Sequence, residues 1–376
     1  MPPPVSSVLA VRHQRVRQSL DSSLDALVVT TPANIRYLSN HAGSAGTLVL
    51  TADAVHLMVD FRYVAAVAAV QESPFACPTL RVWPVPASYD EALLECLKTI
   101  GVKTAGFEGA HLTVARHEWL VTESSARALG VTFRSTSRLV EAARVVKDAT
   151  EIGSLRDAAA RLTQVVDRAL GAVRAGETER AVTGAIEAAL RKAGYERPAF
   201  DTIVASGPNA ALPHHHPNQR VLAAGDLVVL DFGGVLDGYC CDLTRTVSIG
   251  APSPQARQVY DAVHDAQRAA IAAVRPGIDT AAVDAAARSV LDSRGLGEAF
   301  GHGTGHGLGL DVHEEPRIAR PRPDAPAVPL EPGMVFTIEP GAYLPGWGGV
   351  RIEDDVLVTA TGCEVLTSAP RELLAL

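Results

Sequence analysis

The sequence of 376 residues is poor in the features that mark several classes of protein. Its five cysteines are odd in number and show no Cys-x-x-Cys spacing, so neither a disulfide framework nor a thiolate zinc site is indicated. Lysine and arginine do not cluster, and the net charge is −8, which argues against a nucleic-acid-binding surface. Residues 1–20 lack the basic-then-apolar order of a signal peptide, and no uncharged apolar run has membrane-spanning length. These absences predict a cytoplasmic protein that binds neither nucleic acid nor membrane.

One stretch is unusually rich in glycine and histidine. FGHGTGHGLGLDVHEEP, residues 300–316, contains five glycines and three histidines. It matches neither the Gly-x-x-x-x-Gly-Lys-Ser/Thr phosphate loop nor the Gly-x-Gly-x-x-Gly dinucleotide fingerprint, so nucleotide binding is excluded as its purpose. The alternatives are a crowded turn or a metal site that uses the imidazoles.

The composition and length predict two folded domains. The chain is 47% hydrophobic and 20% charged, which suits a well-buried core, and it exceeds the usual length of one domain. Residues 24–135 alternate between strand-like and helix-like segments, whereas a strongly helical region runs from about residue 150 to 194. We expect a smaller α/β domain over residues 1–140 and an α+β domain over residues 141–376.

The second domain contains an internal repeat. Residues 172–194 and 273–295 align without gaps at an offset of 101, and both copies read as helix, glycine turn and helix. Alanine-rich helices match easily by chance, but here the turn glycines coincide as well. Each copy is followed by strand-like sequence, so we expect two similar halves whose strands meet in one sheet.

Each half also carries a predicted hairpin with two acids. In residues 225–250, Asp231 and Asp242 lie on opposite arms, symmetric about residues 236–237, so they are expected to face each other about 5 Å apart. In residues 334–359, Glu339 and Glu353 are symmetric about Gly346. These could be ordinary surface acids, but the apolar residues before Asp231 and Glu339 indicate buried strands.

Four carboxylates in one buried site would repel one another unless cations neutralise them. Two divalent cations would balance the four charges, and the glycine-rich stretch would add an imidazole ligand. Such a ligand set suits manganese, cobalt, iron or zinc better than calcium, whose sites rarely use histidine. The residues therefore predict a dinuclear metal site.

Five ordered motifs resemble those of the pita-bread metallopeptidases, and among these they are most similar to prolidase and aminopeptidase P, the Xaa-Pro peptidases. The motifs are ALPHHHP (211–217), LDFGGVLDGYCCDLTRT (230–246), GHGTGHGLGLDVHEEP (301–316), FTIEPGAY (336–343) and VRIEDDVLV (350–358). Residues 37–63 resemble the creatinase-type N-terminal domain, so the resemblance covers the whole chain.

The resemblance implies a role for each motif residue. Two divalent metal ions, manganese first and cobalt, zinc or iron as alternatives, would be held by Asp231, Asp242, His306, Glu339 and Glu353. His313 and His214 would contact the substrate, and Arg351 would pair with the site carboxylates. His302 matches a further active-site histidine, while His215 and His216 have no assigned role.

The resemblance also implies a reaction and an assembly. A hydroxide activated by both metals would attack the peptide carbonyl before proline, with Glu339 carrying the proton to the proline nitrogen and His313 stabilising the oxyanion. The substrate would be a small peptide with proline at its second position, and the protein a homodimer or a dimer of dimers. Residues 34–36 or 61–62 would reach a neighbouring site.

Rival functions differ in which motifs they keep. Methionine aminopeptidases generally lack the N-terminal domain, whereas creatinase and the non-catalytic peptide-binding homologues have lost metal ligands. A related dinuclear-metal hydrolase of another small amide or carbon–sulfur substrate stays open. The preference between dipeptides and longer peptides is also undecided.

Overall fold

The computed structural model describes residues 5–77 and 79–376. The chain divides into two compact units, the first ending at Arg144 and the second beginning at Val145. In the described part of both units, no helix is long and apolar enough to cross a membrane.

The first unit is a six-stranded mixed sheet with helices between its strands. Its strands are β1 (Ala26–Val29), β2 (Thr47–Thr51), β3 (Val55–Val59), β4 (Leu80–Pro84), β5 (Thr104–Glu108) and β6 (Thr132–Thr136), in the order β4-β3-β2-β1-β5-β6. Its helices are α1 (Val5–Ser19), α2 (Pro32–Ser39), α3 (Phe61–Gln71), α4 (Tyr89–Thr99), α5 (Val114–Ala126) and α6 (Leu139–Arg144). The predicted α/β character is confirmed.

Two residues of the segment 34–36, Asn34 and Ile35, are buried in the first unit. Asn34 is completely buried, and its side-chain amide donates to Glu108 (2.6 Å) and Glu141 (2.7 Å). Asn34 thus helps to hold the unit's own core together, whereas Arg36 is half-buried, and the expectation that this segment reaches a neighbouring site stays a prediction. Phe61, by contrast, is 87% exposed.

The second unit opens with the repeated helix pairs. They are α7 (Ala149–Ala172) with α8 (Glu179–Lys192), and α9 (Pro254–Ala273) with α10 (Thr280–Ser293). The last residue of the first helix and both ends of the second helix recur at the predicted offset of 101. The turn glycines Gly176 and Gly277 both have positive φ, 92° and 81°, a conformation that glycine adopts without strain. The repeat is thus confirmed in its helices and its turns.

The strands of the second unit form three ladders. They are β7 (Arg197–Pro198), β8 (Ile203–Ser206), β9 (Leu227–Leu236), β10 (Tyr239–Ser248), β11 (Gly305–Gly307), β12 (Glu314–Ile318), β13 (Val335–Ile338), β14 (Gly341–Leu344), β15 (Gly348–Arg351), β16 (Asp354–Val358) and β17 (Cys363–Val365). One ladder runs β10-β9-β7 with β8 also on β9, another runs β12-β11-β13-β16-β17, and β14 pairs with β15.

The expectation of one continuous sheet is therefore wrong. The two larger ladders meet without forming a strand pair, through single bonds such as Glu353 N–H to the Thr244 carbonyl (3.1 Å). Each half has its own apolar core between helices and strands. Val182 and Leu190 of α8 are buried in one core, and their repeat partners Val283 and Leu291 in the other. Together the halves enclose the acids at the junction of their ladders.

Candidate metal and substrate site

The first hairpin places its two acids on one face, but not opposite each other. Asp231 pairs with Thr244, and Asp242 pairs with Gly233. The predicted centre at residues 236–237 is wrong because the turn consists of Asp237 and Gly238, both with positive φ (47° and 75°), as a type I′ turn requires. The register therefore moves by two residues. Since strand side chains alternate, this shift keeps both acids on the same face as diagonal neighbours.

The second hairpin has the predicted register. β13 pairs Ile338 with Asp354 and β14 pairs Gly341 with Arg351, both symmetric about Gly346. Glu339 and Glu353 lie between these two ladders, and their backbone N–H groups donate to other segments of the chain. Glu339 N–H donates to the Thr304 carbonyl (2.7 Å), in the glycine-rich segment, and Glu353 N–H donates to Thr244 on the first hairpin. These bonds bring the three motifs to one place.

The glycines of the third motif permit close packing rather than phosphate binding. A Cβ at Gly305 would overlap the Thr337 carbonyl, and one at Gly307 would overlap the Glu315 carbonyl. Between them His306 bonds through Nδ1 to the Gly307 carbonyl (3.1 Å), which leaves Nε2 to face the acids. The glycines therefore place an imidazole nitrogen against the carboxylates.

Three of the predicted ligands form a compact cluster. Asp242, His306 and Glu353 each offer an atom within 4.8 Å of the others. His306 Nε2 is also 3.8 Å from Glu339 Oε1, while Asp231 is paired with the Arg351 guanidinium. All five residues line one cavity of about 400 Å³.

Three of the site carboxylates each have one buried oxygen that lacks a hydrogen-bond donor in the described part of the chain. Among residues 5–77 and 79–376, Asp231 Oδ1, Asp242 Oδ1 and Glu353 Oε1 are buried and accept no hydrogen bond from protein. A buried carboxylate oxygen without a donor is costly unless a cation neutralises it. Carboxylate oxygens with one imidazole nitrogen are also the donors that borderline divalent metals favour. The residues thus fit a divalent metal centre.

The pKa values of the site residues also suit a metal centre. Burial raises the pKa of Glu339 to about 8 and raises the pKa values of Asp242 and Glu353 well above their ordinary values. Burial lowers the pKa of His306 to about 4, which keeps the ring neutral. Without a cation the acids therefore take up protons, whereas the neutral imidazole is already in its metal-binding form.

The other site histidines differ in how firmly they are held. The His313 ring centroid is 4.3 Å from that of His306. His302 bonds through Nδ1 to the Gly303 carbonyl (2.8 Å), and its Nε2 accepts from the Tyr343 hydroxyl (2.9 Å). Tyr343 in turn accepts from Arg351 Nη1 (2.8 Å), so one chain of bonds joins His302 to the guanidinium that holds Asp231.

The three consecutive histidines all line the cavity but face different surroundings. His214 and His216 are exposed, whereas His215 is buried and bonds to Glu179 (2.8 Å). His214, to which the resemblance gives a substrate role, therefore projects from a segment that its neighbour anchors.

Sequence reasoning gave no role to three residues that hold the ligands. The Thr244 hydroxyl donates to Glu353 Oε2 (2.5 Å), Asp355 Oδ2 accepts from the Asp242 backbone N–H (3.0 Å), and Tyr343 links His302 to Arg351. Thr244 lies two residues after Asp242 on the same face of β10, and Asp355 lies on β16, two residues after Glu353. For Thr244, the strand period of two is the signal that could have identified it.

Known proteins resemble this chain along its whole length. The model of the metallopeptidase family M24 matches residues 153–360, and that of the creatinase/prolidase N-terminal domain matches residues 12–146. An Xaa-Pro dipeptidase from Pyrococcus furiosus is 34% identical over 94% of this chain and 96% of its own.

Solved structures agree in fold. That of an Xaa-Pro dipeptidase from Bacillus anthracis has a TM-score of 0.90 and 35% identity, covering 98% of this chain and 100% of its own. That of an X-Pro aminopeptidase from Thermotoga maritima has a TM-score of 0.86 and 33% identity, covering 96% and 100%.

Proposed function

Because the chain belongs to metallopeptidase family M24, as its five motifs predicted, we propose that it hydrolyses the Xaa-Pro bond of dipeptides or at the N-terminus of longer peptides. The observation that carries this proposal is the cluster of Asp242, His306 and Glu353 with its unpartnered carboxylate oxygens. The Xaa-Pro specificity is supported by relatives named as Xaa-Pro dipeptidases that match nearly the whole chain.

The metal complement is part of the proposal. Two divalent ions, manganese first and cobalt, zinc or iron as alternatives, would be held by Asp231, Asp242, His306, Glu339 and Glu353. Bound divalent ions would supply Lewis acidity and a water of lowered pKa. The chain's own contribution is to gather the five ligands around one cavity of about 400 Å³.

Proton transfer is assigned to Glu339. Its carboxylate lines the cavity, and its Oε1 lies 3.8 Å from His306 Nε2, so it is beside the proposed metal ligands and can take a proton from water. Water adds to the carbonyl carbon, the bond from that carbon to the proline nitrogen breaks, and the proton taken by Glu339 goes to that nitrogen. The nitrogen is tertiary in the substrate and must gain this proton to leave as an amine.

The remaining polar residues orient the substrate. His313 is assigned to donate a hydrogen bond to the carbonyl oxygen as it gains charge, which its position beside His306 supports, and His214 is assigned to the leaving side. Arg351 and Tyr343 keep Asp231 and His302 in place. Arg317 also lines the cavity, and its guanidinium suits the free carboxylate of a dipeptide.

A cleavage panel tests the proposal. Purified protein is freed of metal, reloaded with manganese or cobalt, and given Ala-Pro, Gly-Pro, Ala-Pro-Ala and Met-Ala-Ser. Cleavage of the dipeptides alone indicates a dipeptidase, whereas cleavage of Ala-Pro-Ala indicates an aminopeptidase. The protein should not cleave Met-Ala-Ser. A protein without bound transition metal, and without Xaa-Pro cleavage after reloading, would contradict the proposal.

The proposal also covers the assembly of the protein and its location in the cell. We propose a cytoplasmic homodimer or dimer of dimers, supported by the family resemblance and by five cysteines that are all free thiols. Light scattering on the purified protein measures the assembly. A hydrolase of another small amide is the alternative function, and the same panel extended with non-proline amides would identify it.

A further inference from the structure

A buried carboxylate outside the metal cluster holds the segment that carries the three consecutive histidines. Glu179 is the first residue of α8 and is completely buried. The N-terminus of this helix is already capped by Thr178, whose hydroxyl accepts from the Ala181 backbone N–H (3.1 Å). The Glu179 side chain is therefore not needed as a cap and bonds to a different segment.

That segment supplies five donors to the one carboxylate. Oε1 accepts from the backbone N–H and the hydroxyl of Ser206 (2.9 and 2.7 Å) and from the Asn209 side-chain amide (2.9 Å). Oε2 accepts from His215 Nε2 (2.8 Å) and from the Asn218 backbone N–H (3.2 Å). The carboxylate thus ties together both ends of residues 206–218.

Glu179 is ionised at neutral pH despite its burial. Burial by itself raises the pKa of a carboxyl group, but here the bonds from Asn209, Ser206 and His215 outweigh it and hold the pKa of Glu179 below its ordinary value. An ionised carboxylate only accepts hydrogen bonds, so His215 must carry its proton on Nε2.

This bond decides which histidines face the substrate. His215 turns toward Glu179 and is buried, so His214 and His216 on either side of it are exposed along the cavity. The residue before His214 is held as well, because the Pro213 carbonyl accepts from Arg351 Nη1 (3.4 Å). The chain is therefore held on both sides of His214, at Pro213 and at His215.

The second half of the unit uses a similar arrangement. Asp284 on α10 is buried and accepts from the backbone N–H and the hydroxyl of Thr304 (3.1 and 2.8 Å). Thr304 lies between His302 and His306. In both halves, a buried acid on the second helix of the repeat anchors the segment that carries site histidines.

We infer that Glu179 and His215 form a positioning pair that sets the His214 ring against the substrate, an inference that rests on the proposed Xaa-Pro peptidase function. The pair acts through His214 and does not itself touch the reacting atoms. It gives His215 a role that the motif alone does not assign.

The test removes the histidine and keeps the acid. His215→Leu takes away one of five donors, so Glu179 keeps four and the fold should hold. On Ala-Pro with manganese, we expect kcat/KM to fall by roughly 100-fold, the scale of a misplaced substrate contact. His215→Gln, which offers an amide N–H near the former Nε2, should restore most of the activity. Metal content should be unchanged in both variants.

A double-mutant cycle separates positioning from a general structural effect. In a His214→Ala background, His215→Leu should change kcat/KM by no more than about 2-fold, because the group it positions is gone. Asn209→Ala is the matched control, since it removes a bond of similar length to the same carboxylate away from the histidines, and it should leave kcat/KM near that of the wild type. Wild-type activity in His215→Leu, or an equal loss in both backgrounds, would overturn the inference.

A readout without turnover keeps this inference distinct from the proposed function. In zinc-loaded protein, the imidazole ¹⁵N resonances of His214 are assigned by their loss in His214→Ala, and they should shift in His215→Leu but not in Asn209→Ala. If the wild-type protein cleaves no Xaa-Pro peptide but the His214 resonances still shift in His215→Leu, the proposed function is wrong and the positioning pair is supported. If the wild-type protein is active but the His214 resonances do not shift in His215→Leu, the positioning pair is wrong and the proposed function is unaffected.

Discussion

Removal of the metal should make the stability of this protein fall as pH rises. Burial raises the pKa of Glu339 from 4.5 to about 8 in the native protein. Between those two pH values the native state binds more protons than the unfolded state, so the free energy of unfolding decreases with pH. Each such proton is worth about 1.4 kcal/mol per pH unit. The Glu339 side chain is 18% exposed, so we expect a few kcal/mol over the window. Asp242 and Glu353, whose pKa values are also raised, act in the same direction.

Bound cations should abolish this slope, because the acids are then deprotonated in the native state as well. The measurement is urea unfolding between pH 7 and 8, in chelator and in excess manganese. This range is chosen above the ordinary histidine pKa of about 6.5, because burial lowers the pKa values of His302, His306 and His313 and so makes stability rise with pH below it. Glu339→Gln should flatten the slope of the metal-free protein by up to about one proton. Glu331→Gln, an exposed acid of the same unit, is the control and should leave the slope as it is. A flat or rising stability in chelator would refute the picture of buried, uncompensated carboxylates.

Two further predictions concern the ligands and their support. His306→Ala or Asp242→Ala should abolish most activity and lower the bound metal by about one ion while circular dichroism stays native; retained activity would show that the ligand assignment is wrong. Arg245→Met should cost about 3–5 kcal/mol and lower Tm by roughly 10 °C, because the buried guanidinium donates to four carbonyls and to the buried carboxylate of Asp354. Arg371→Met, which removes one partly exposed bond to Asp354, should lower the free energy of unfolding by only about 1 kcal/mol. Equal losses of stability for the two arginine variants in thermal unfolding would contradict the larger role given to Arg245.

Sequence patterns predicted helix ends, turns and hairpin registers correctly where these depend on residues that are near in the chain. The offset of 101 predicted matching helix ends and turns, because a glycine with positive φ ends or turns a helix wherever it occurs. The symmetry about Gly346 predicted the second hairpin's register correctly. The first hairpin's register was wrong because the symmetry of two acids was used, whereas the turn conformation of Asp237 and Gly238 decided it.

The sequence by itself determined the family, the repeat and the residue types that suit a metal, since these lie in ordered motifs and short-range patterns. Only the tertiary structure decided how distant residues meet. The Glu353 backbone N–H donates to Thr244, Arg351 pairs with Asp231, and His215 bonds to Glu179. Such contacts depend on how two cores pack and where buried polar groups find partners, and no local pattern encodes them.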